Sequence, residues 1–373
     1  MYIKTPITDL FNIEKPIFLA GMNVAAGPEL AAAVSNNGGL GVIGGLGYTP
    51  EMLRKQCKTL KNDLIDEKLP WGVDLLLPQV GGNARKTNKD YTGGTLYELI
   101  DVIIEEGASI FVSAVGVPPK EVCDKLHSVG IPVMNMIGAP KHVKKAVDVG
   151  VDIICAQGGE GGGHTGEIPT SVLIPKVCDT IKENNYKSSL TGELINVVAA
   201  GGIFDGRGLA MALTLGASAV WVGTRFVASK EAGATKRHKN GVLDCNYDGT
   251  IKTIIFTGRP MRIKKNEYVM NWEENRKQEI KNLTDKGILP ALWQNDIDDK
   301  NKTKLSFDEK MDRMNPLLMG QCAGAIHEIL PAKDIMNNMI SQCYDILNKK
   351  QNNYELVSLN IGIDYKNKLM SKL

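Results

Sequence analysis

The sequence has little net charge, because its 44 basic residues are nearly matched by 42 acidic residues and the formal net charge is +2. Such a balance creates no overall field that would attract nucleic acid or an anionic membrane. No apolar run approaches the roughly twenty residues that span a bilayer, and the first residues lack the apolar segment of a signal peptide. These absences predict a soluble, cytoplasmic protein whose partner is a small molecule.

Patterns typical of metal sites and disulfides are also missing. The five histidines show no H-x-x-H or H-E-x-x-H spacing, and the seven cysteines include no C-x-x-C pair. Most of the cysteines fall within apolar or amphipathic segments, which predicts reduced core residues and no bound metal. Cys155 directly precedes a glycine-rich loop, and we expect it in a buried strand.

Short apolar runs alternate with segments of helical periodicity eight times between residue 16 and about residue 235. The runs are rich in Val, Ile or Leu without polar alternation, as expected for parallel strands buried on both faces. Glycines repeatedly close the helical segments just before the next run. The predicted strands are residues 16–21, 40–44, 71–77, 109–115, 132–137, 151–156, 195–200 and 219–226. The pattern predicts an α/β fold, a closed (β/α)8 TIM barrel.

An open doubly wound sheet would show the same alternation of strands and helices. Its dinucleotide fingerprint, G-x-G-x-x-G, must follow a strand and open a helix. The nearest match in this chain, residues 38–41 (GGLG), precedes a predicted strand instead. The barrel is therefore favoured over a Rossmann fold.

The pattern changes after about residue 240. We predict a ligand-binding barrel over residues 1–240, a mostly helical cap packed on it over residues 241–350, and a weakly ordered tail over residues 351–373. A polar excursion at residues 78–92 follows the third predicted strand. Because it leaves the carboxyl end of that strand, it is expected to overhang the barrel mouth as a lid.

Three glycine-rich segments follow predicted strands, at residues 156–166 (AQGGEGGGHTG), 199–206 and 221–226. The first contains His164, a group that titrates near neutral pH. Gly201-Gly202 and Gly223-Thr224 lie in the loops after the last two strands, where (β/α)8 barrels commonly hold a phosphate with backbone N–H groups. No P-loop lysine accompanies them, so a small ligand or cofactor is favoured over a nucleoside triphosphate, and FMN fits.

These segments, together with residues 16–22, 38–45 and 72–74, resemble the nitronate monooxygenase family, formerly called 2-nitropropane dioxygenases. They are also similar to the related flavin-dependent enoyl-acyl-carrier-protein reductases. The resemblance implies an FMN site with His164 beside the reactive face of the ring. The implied cofactor-binding residues are Gly21, Met22, Asp74, Gln157, Gly162, Gly201, Gly202, Trp221, Val222, Gly223 and Thr224.

Asp74 departs from the asparagine that is usual in the family. An ionised carboxylate there would repel an anionic reduced flavin, so contact with the cofactor requires that Asp74 be protonated or paired. Arg259, Arg85 and Tyr91 are further candidates near the substrate, and a solvated surface position is an equally acceptable interpretation of Arg259.

The resemblance implies oxidation of alkyl nitronates by O2 to a carbonyl compound and nitrite. His164 would donate a hydrogen bond to the nitronate or, for neutral nitroalkanes, remove the α-proton. An NAD(P)H-dependent FMN reductase acting on an enoyl thioester or a quinone is the alternative, and a flavin-free binding protein is a third hypothesis. The expected partners are the small-molecule substrate and O2, with a second copy of the chain as a candidate partner in a homodimer.

Overall fold

A closed barrel of eight parallel strands forms the body of the molecule in the computed structural model, which describes residues 2–348. Leu19 N–H donates to Leu40 O at 2.9 Å and Leu40 N–H to Ile17 O at 3.0 Å, which joins the first and second strands and closes the sheet. The barrel strands are Ile17–Leu19, Gly41–Gly44, Trp71–Leu76, Ile110–Ala114, Val133–Ile137, Ile153–Gln157, Asn196–Ala200 and Ala219–Val222. The (β/α)8 prediction is confirmed.

The eighth strand is shorter than its apolar run suggested. It ends at Val222, and Thr224–Val227 forms a short helix, so the predicted strand over residues 219–226 was wrong beyond Val222. Phe226 and Val227 are buried in that helical turn. A short apolar run has the same composition in a buried strand and in a buried helical turn, so the run alone could not separate them.

Helices follow most strands and begin where the sequence supplies a cap. The Thr49 hydroxyl accepts the amide of Met52, and the Asp205 carboxylate accepts those of Arg207 and Gly208. The α-helices are Pro6–Phe11, Pro28–Asn36, Pro50–Asp63, Leu96–Glu105, Lys120–His127, Val143–Asp148, Thr170–Glu183, Gly206–Thr214, Thr224–Val227, Lys236–Leu243, Glu267–Asn275, Lys277–Thr284, Pro290–Lys300, Phe307–Met314 and Ala332–Leu347. None of those in the described residues has both the length and the apolar character that a bilayer span requires.

The two faces of each barrel strand pack into different cores. Side chains such as Phe18 and Val112 fill the barrel, whereas alternate residues such as Val73 pack outward against the helices. The helix Pro6–Phe11 adds Ile7 and Phe11 to the inner cluster, and the rings of Phe11 and Phe18 meet edge to face at 5.7 Å. This helix therefore joins the core of the barrel before the first strand begins.

The segment after the eighth strand adds helices and a small second sheet. Thr250–Thr253 pairs with Met261–Lys264, which pairs in turn with the two-residue strand Gly163–His164 from the loop after the sixth barrel strand. The cap is thus fastened to the barrel through the loop that carries His164. The tail expected at residues 351–373 lies outside the described residues.

The last helix does not lie in the cap, where the sequence pattern put it. Ala332–Leu347 packs against Gly206–Thr214 and Pro28–Asn36, the helices that follow the seventh and first barrel strands. The contact with the former is close, because a Cβ at Gly206 would lie 2.5 Å from Met339 O. Ala332–Leu347 is therefore the eighth helix of the barrel ring, separated from its strand by the whole cap.

Candidate active site at the barrel mouth

The loops after the sixth and seventh strands meet through glycines. Gly201 and Gly202 have φ angles of +99° and +73°, which L-residues rarely adopt, and a Cβ on Gly201 would lie 2.8 Å from Gly158 O. Among the described residues, the amides of Gly201, Gly202 and Gly223 donate to no backbone or side-chain acceptor. Free amides in the loops after the last two strands suit an anionic phosphate.

The first-strand loop crosses directly over the third strand. A Cβ on Gly21 would fall 2.4 Å from Asp74 Oδ2, so only glycine allows this approach. Asp74 is 2% exposed, and its Oδ1 is buried without a hydrogen-bond partner in residues 2–348. Burial raises the pKa of the Asp74 carboxyl well above its usual range.

The remaining predicted cofactor residues divide by the direction of their side chains. Met22 lies over Gly223, its sulfur 3.4 Å from where a Cβ would be, and Trp221 faces into the barrel. Val222 packs outward among the helices, so only its backbone faces the mouth, and its carbonyl accepts the Ala20 amide at 3.0 Å. The structure thus brings the first and eighth loops together and turns one predicted side chain away.

A cap segment covers the loops after the sixth and eighth strands. A Cβ on Gly162 would lie 2.6 Å from the carbonyl carbon of Met319 and 2.7 Å from Gly320 N. The Thr224 hydroxyl accepts the Gly320 amide at 2.9 Å. Gly162 and Thr224 therefore hold the cap segment on the rim of the barrel. This contact is structural, and it leaves their backbone atoms near the candidate site.

His164 is held from both sides. Gln157 Nε2 donates to the His164 carbonyl at 2.7 Å, and His164 pairs with Met261 of the cap. Its Nε2 lies 3.0 Å from the Thr257 hydroxyl. Burial, and then the nearby charge of Arg259, lower the pKa of His164 to about 4. The imidazole is therefore neutral at physiological pH.

Arg259 is a partly buried cation without an acidic partner. Its Nε donates to Asn88 Oδ1 at 3.0 Å and its Nη1 to Val115 O at 3.2 Å, and no carboxylate of the described residues pairs with it. Burial and the charge of Arg85 lower its pKa. Val115 has a φ of +70°, an unusual conformation for a β-branched residue, at the end of the fourth strand. The strained backbone thus presents a carbonyl to the guanidinium.

The loop of residues 78–92, which follows the third strand, lies against the cap near Arg259. Arg85 Nη1 donates to Gly258 O at 3.0 Å, and Asn88 supplies the contact with Arg259. Tyr91 is close enough for its charge state to influence that of Arg259. The predicted position over the mouth is therefore observed, and lid motion stays a prediction.

Two supports of the glycine loop escaped the sequence reasoning. Arg262, 8% exposed, donates from Nε and Nη2 to Gly159 O at 3.2 and 2.9 Å. The Glu160 carboxylate accepts the amide and hydroxyl of Thr170, so it anchors the loop to the helix Thr170–Glu183. The Arg262 contact gave no signal in the local sequence, because it joins segments 103 residues apart. Glu160 lies only ten residues before Thr170, but a single glutamate within a glycine loop does not indicate its partner.

The mouth carries the kinds of donor that a phosphate-bearing cofactor requires. The free amides of Gly201, Gly202 and Gly223 are donors that an anion could accept. The orphaned Oδ1 of Asp74 and the partly buried His164 are further polar groups of the candidate site. The chemistry of these donors and acceptors is compatible with FMN.

Comparison with known proteins places this architecture in a family. The family model for nitronate monooxygenase matches residues 4–342. A "Probable nitronate monooxygenase" of Staphylococcus saprophyticus is 33% identical over 74% of this chain and 82% of its own. An octahydro-1H-indene-4-carboxyl-CoA dehydrogenase of Mycobacterium tuberculosis is 34% identical over 73% of this chain and 69% of its own. FabK from Thermotoga maritima superposes with a TM-score of 0.71 at 30% identity, covering 93% of this chain and 98% of that one.

Proposed function

The chain belongs to the nitronate monooxygenase family, and on that premise we propose that it uses FMN to oxidise alkyl nitronates with O2 to a carbonyl compound and nitrite. The observation that carries the proposal is the unpaired Arg259 beside the neutral His164. A partly buried guanidinium without a carboxylate is costly unless an anion completes it. A nitronate is such an anion, and a neutral nitroalkane is not.

His164 acts in this proposal as a hydrogen-bond donor. With a pKa of about 4, the imidazole is a weak base and is poorly suited to remove a proton from a carbon acid. When the Thr257 hydroxyl donates to Nε2, 3.0 Å away, the ring proton is on Nδ1 and is available to the substrate. This arrangement suits a substrate that arrives already deprotonated.

The backbone of the seventh and eighth loops would hold the cofactor. The amides of Gly201, Gly202 and Gly223 would bind its phosphate, and the first-strand loop at Gly21 and Met22 would lie against its ring. FMN, when bound, supplies the one-electron chemistry that this oxidation needs. The protein's part is to bind the anion with Arg259 and to fix it with His164.

The test is to measure O2 uptake and nitrite release by the FMN-saturated protein with propionate 3-nitronate and with the corresponding neutral nitroalkane. We expect turnover of the nitronate and at least about 10-fold weaker activity on the nitroalkane. Arg259→Gln should raise the nitronate KM about 10-fold or more, because it removes the counter-charge. Arg237→Gln is the control, since Arg237, unlike Arg259, has a carboxylate partner, Asp312.

The competing function is an NAD(P)H-dependent FMN reductase acting on an enoyl thioester or a quinone. The similarity to a carboxyl-CoA dehydrogenase favours it, because a CoA thioester also carries negative charge. Anaerobic mixing separates the two functions. Rapid bleaching of the bound flavin by NADH or NADPH, with no nitrite formed from nitronates in air, would reject the proposed oxidation in favour of the reductase function.

A further inference from the structure

Asp74 is a buried acid for which the described residues provide neither an ion pair nor a hydrogen bond to Oδ1. Its Oδ1 has no hydrogen-bond partner, and no lysine, arginine or histidine offsets the effect of burial on its pKa. The titratable group that faces it is the Cys155 thiol of the sixth strand, whose own pKa is raised by burial and by Asp74. Such surroundings disfavour an ionised carboxylate much more than a neutral carboxylic acid.

The carboxyl of Asp74 lies at the level of the rim. Alternate residues of the third strand face into the barrel, and Val73 and Leu75 pack outward. Gly21 of the first loop passes directly over Asp74, with space for a hydrogen atom but none for a methyl group. The orphaned oxygen thus sits beside the loop that would lie against the cofactor ring.

We propose that Asp74 is a neutral carboxylic acid that donates a hydrogen bond to the bound FMN, an inference that rests on the FMN site of the proposed function. A protonated carboxyl has an O–H that can donate, which an ionised carboxylate lacks. It also adds no charge next to a cofactor that gains electrons during turnover. Burial, which raises the pKa of the Asp74 carboxyl well above its usual range, favours this protonated form.

The direct test is infrared difference spectroscopy between wild type and Asp74→Asn at pH 7.5, with and without FMN. We expect the carbonyl band of a protonated carboxylic acid in wild type only, and we expect it to shift when FMN binds. Absence of that band, or a band that FMN leaves unchanged, would overturn the inference. Failure of the protein to bind FMN at all would instead defeat the proposed function.

FMN titration provides the second arm. Asp74→Asn, which keeps a neutral donor, should change the FMN Kd less than about 3-fold, whereas Asp74→Leu should weaken it about 10-fold. Asp152→Asn is the matched control, a buried aspartate at the other end of the barrel, and should leave the Kd unchanged. Wild-type affinity in Asp74→Leu would contradict the proposal.

The midpoint potential of the bound flavin distinguishes a neutral Asp74 from an ionised one. The potential should be the same in wild type and Asp74→Asn, because the substitution removes no charge. A higher potential in the variant would mean that a negative charge had been removed, and it would overturn the neutral-acid assignment.

Discussion

Two aspartates, each 2% exposed, occupy opposite ends of the barrel and are treated in opposite ways. Asp152, at the start of the sixth strand, accepts the Ser188 hydroxyl at 2.6 Å and the Val133 amide at 2.8 Å, and lies 2.8 Å from His127 Nε2. Asp74, towards the end of the third strand, has no partner on Oδ1. The two aspartates are equally buried, yet Asp152 is fully hydrogen-bonded whereas Asp74 has a carboxyl oxygen without a hydrogen-bond partner.

The difference indicates how the molecule divides its tasks. The amino end of the barrel is internally complete, with the Asp152 network joining a helix, two strands and a loop. The carboxyl end leaves a carboxyl, three amides and a guanidinium incompletely partnered. Groups at this end of a (β/α)8 barrel are those that bind ligands, whereas the other end contributes stability.

Breaking the complete network should have the largest effect. Asp152→Ala removes the acceptor of two buried donors, and we expect the free energy of unfolding in urea to fall by about 3 kcal/mol. Asp74→Asn should stay within about 1 kcal/mol of wild type, because it removes no internal bond. Equal losses in the two variants would remove the contrast between the ends.

Removing the imidazole should impair catalysis without impairing the fold. His164→Ala should lower nitronate turnover by about 10²-fold, because a donor to the reacting anion is lost, while FMN absorbance is retained. His164→Asn, which keeps an amide donor, should recover part of the loss. Full turnover by the alanine variant would exclude His164 from the chemistry.

The low pKa of His164 also predicts a pH-dependent stability. The folded protein keeps this imidazole neutral down to about pH 4, whereas the unfolded chain takes up a proton near pH 6.5. Stability is therefore lost as the pH falls from 6.5 towards 4 and is unaffected above that window. Between pH 7.5 and pH 5, wild type should lose about 1–2 kcal/mol more than His164→Asn in urea unfolding.

Substituting one glycine at each end of the barrel tests the same contrast at the level of the backbone. Gly202 has a φ of +73° at the mouth, and Gly130 has a φ of +77° before the fifth strand. Alanine at either position should cost about 1 kcal/mol of stability. Gly202→Ala alone should also weaken FMN binding, by about 10-fold, as measured by fluorescence titration. An equal effect of Gly130→Ala on FMN would mean that general loosening is the cause.

The barrel could be predicted from local signals because each strand is a buried apolar run punctuated by glycine. Cys155 and the first glycine loop were placed correctly for the same reason. The end of the eighth strand was misjudged, because Phe226 and Val227 continue its apolar composition although they lie in a helical turn. The last helix was assigned to the cap. Its amphipathic pattern predicts that one face is buried, but it does not identify the element that this face packs against.

The site was predictable at its glycines and less so at its side chains. Gly21, Gly201 and Gly202 stand out in the sequence as glycines, and in the structure a Cβ on each would come close to a neighbouring segment. The environment of His164 depends on Thr257 and Arg259, which follow it by about 90 residues. Contacts of that separation are fixed only by tertiary packing, so the low pKa of His164 had no counterpart in the local sequence.

The position of Ala332–Leu347 in the ring has a consequence for biosynthesis. The wall between the eighth and first strands is completed by a segment that emerges from the ribosome about a hundred residues after the eighth strand, Ala219–Val222. Until then, the nascent chain exposes the apolar surfaces of the helices Gly206–Thr214 and Pro28–Asn36 that this segment covers. Such surfaces are where chaperones bind, so the interval before the last helix is the period in which the growing protein most needs their protection.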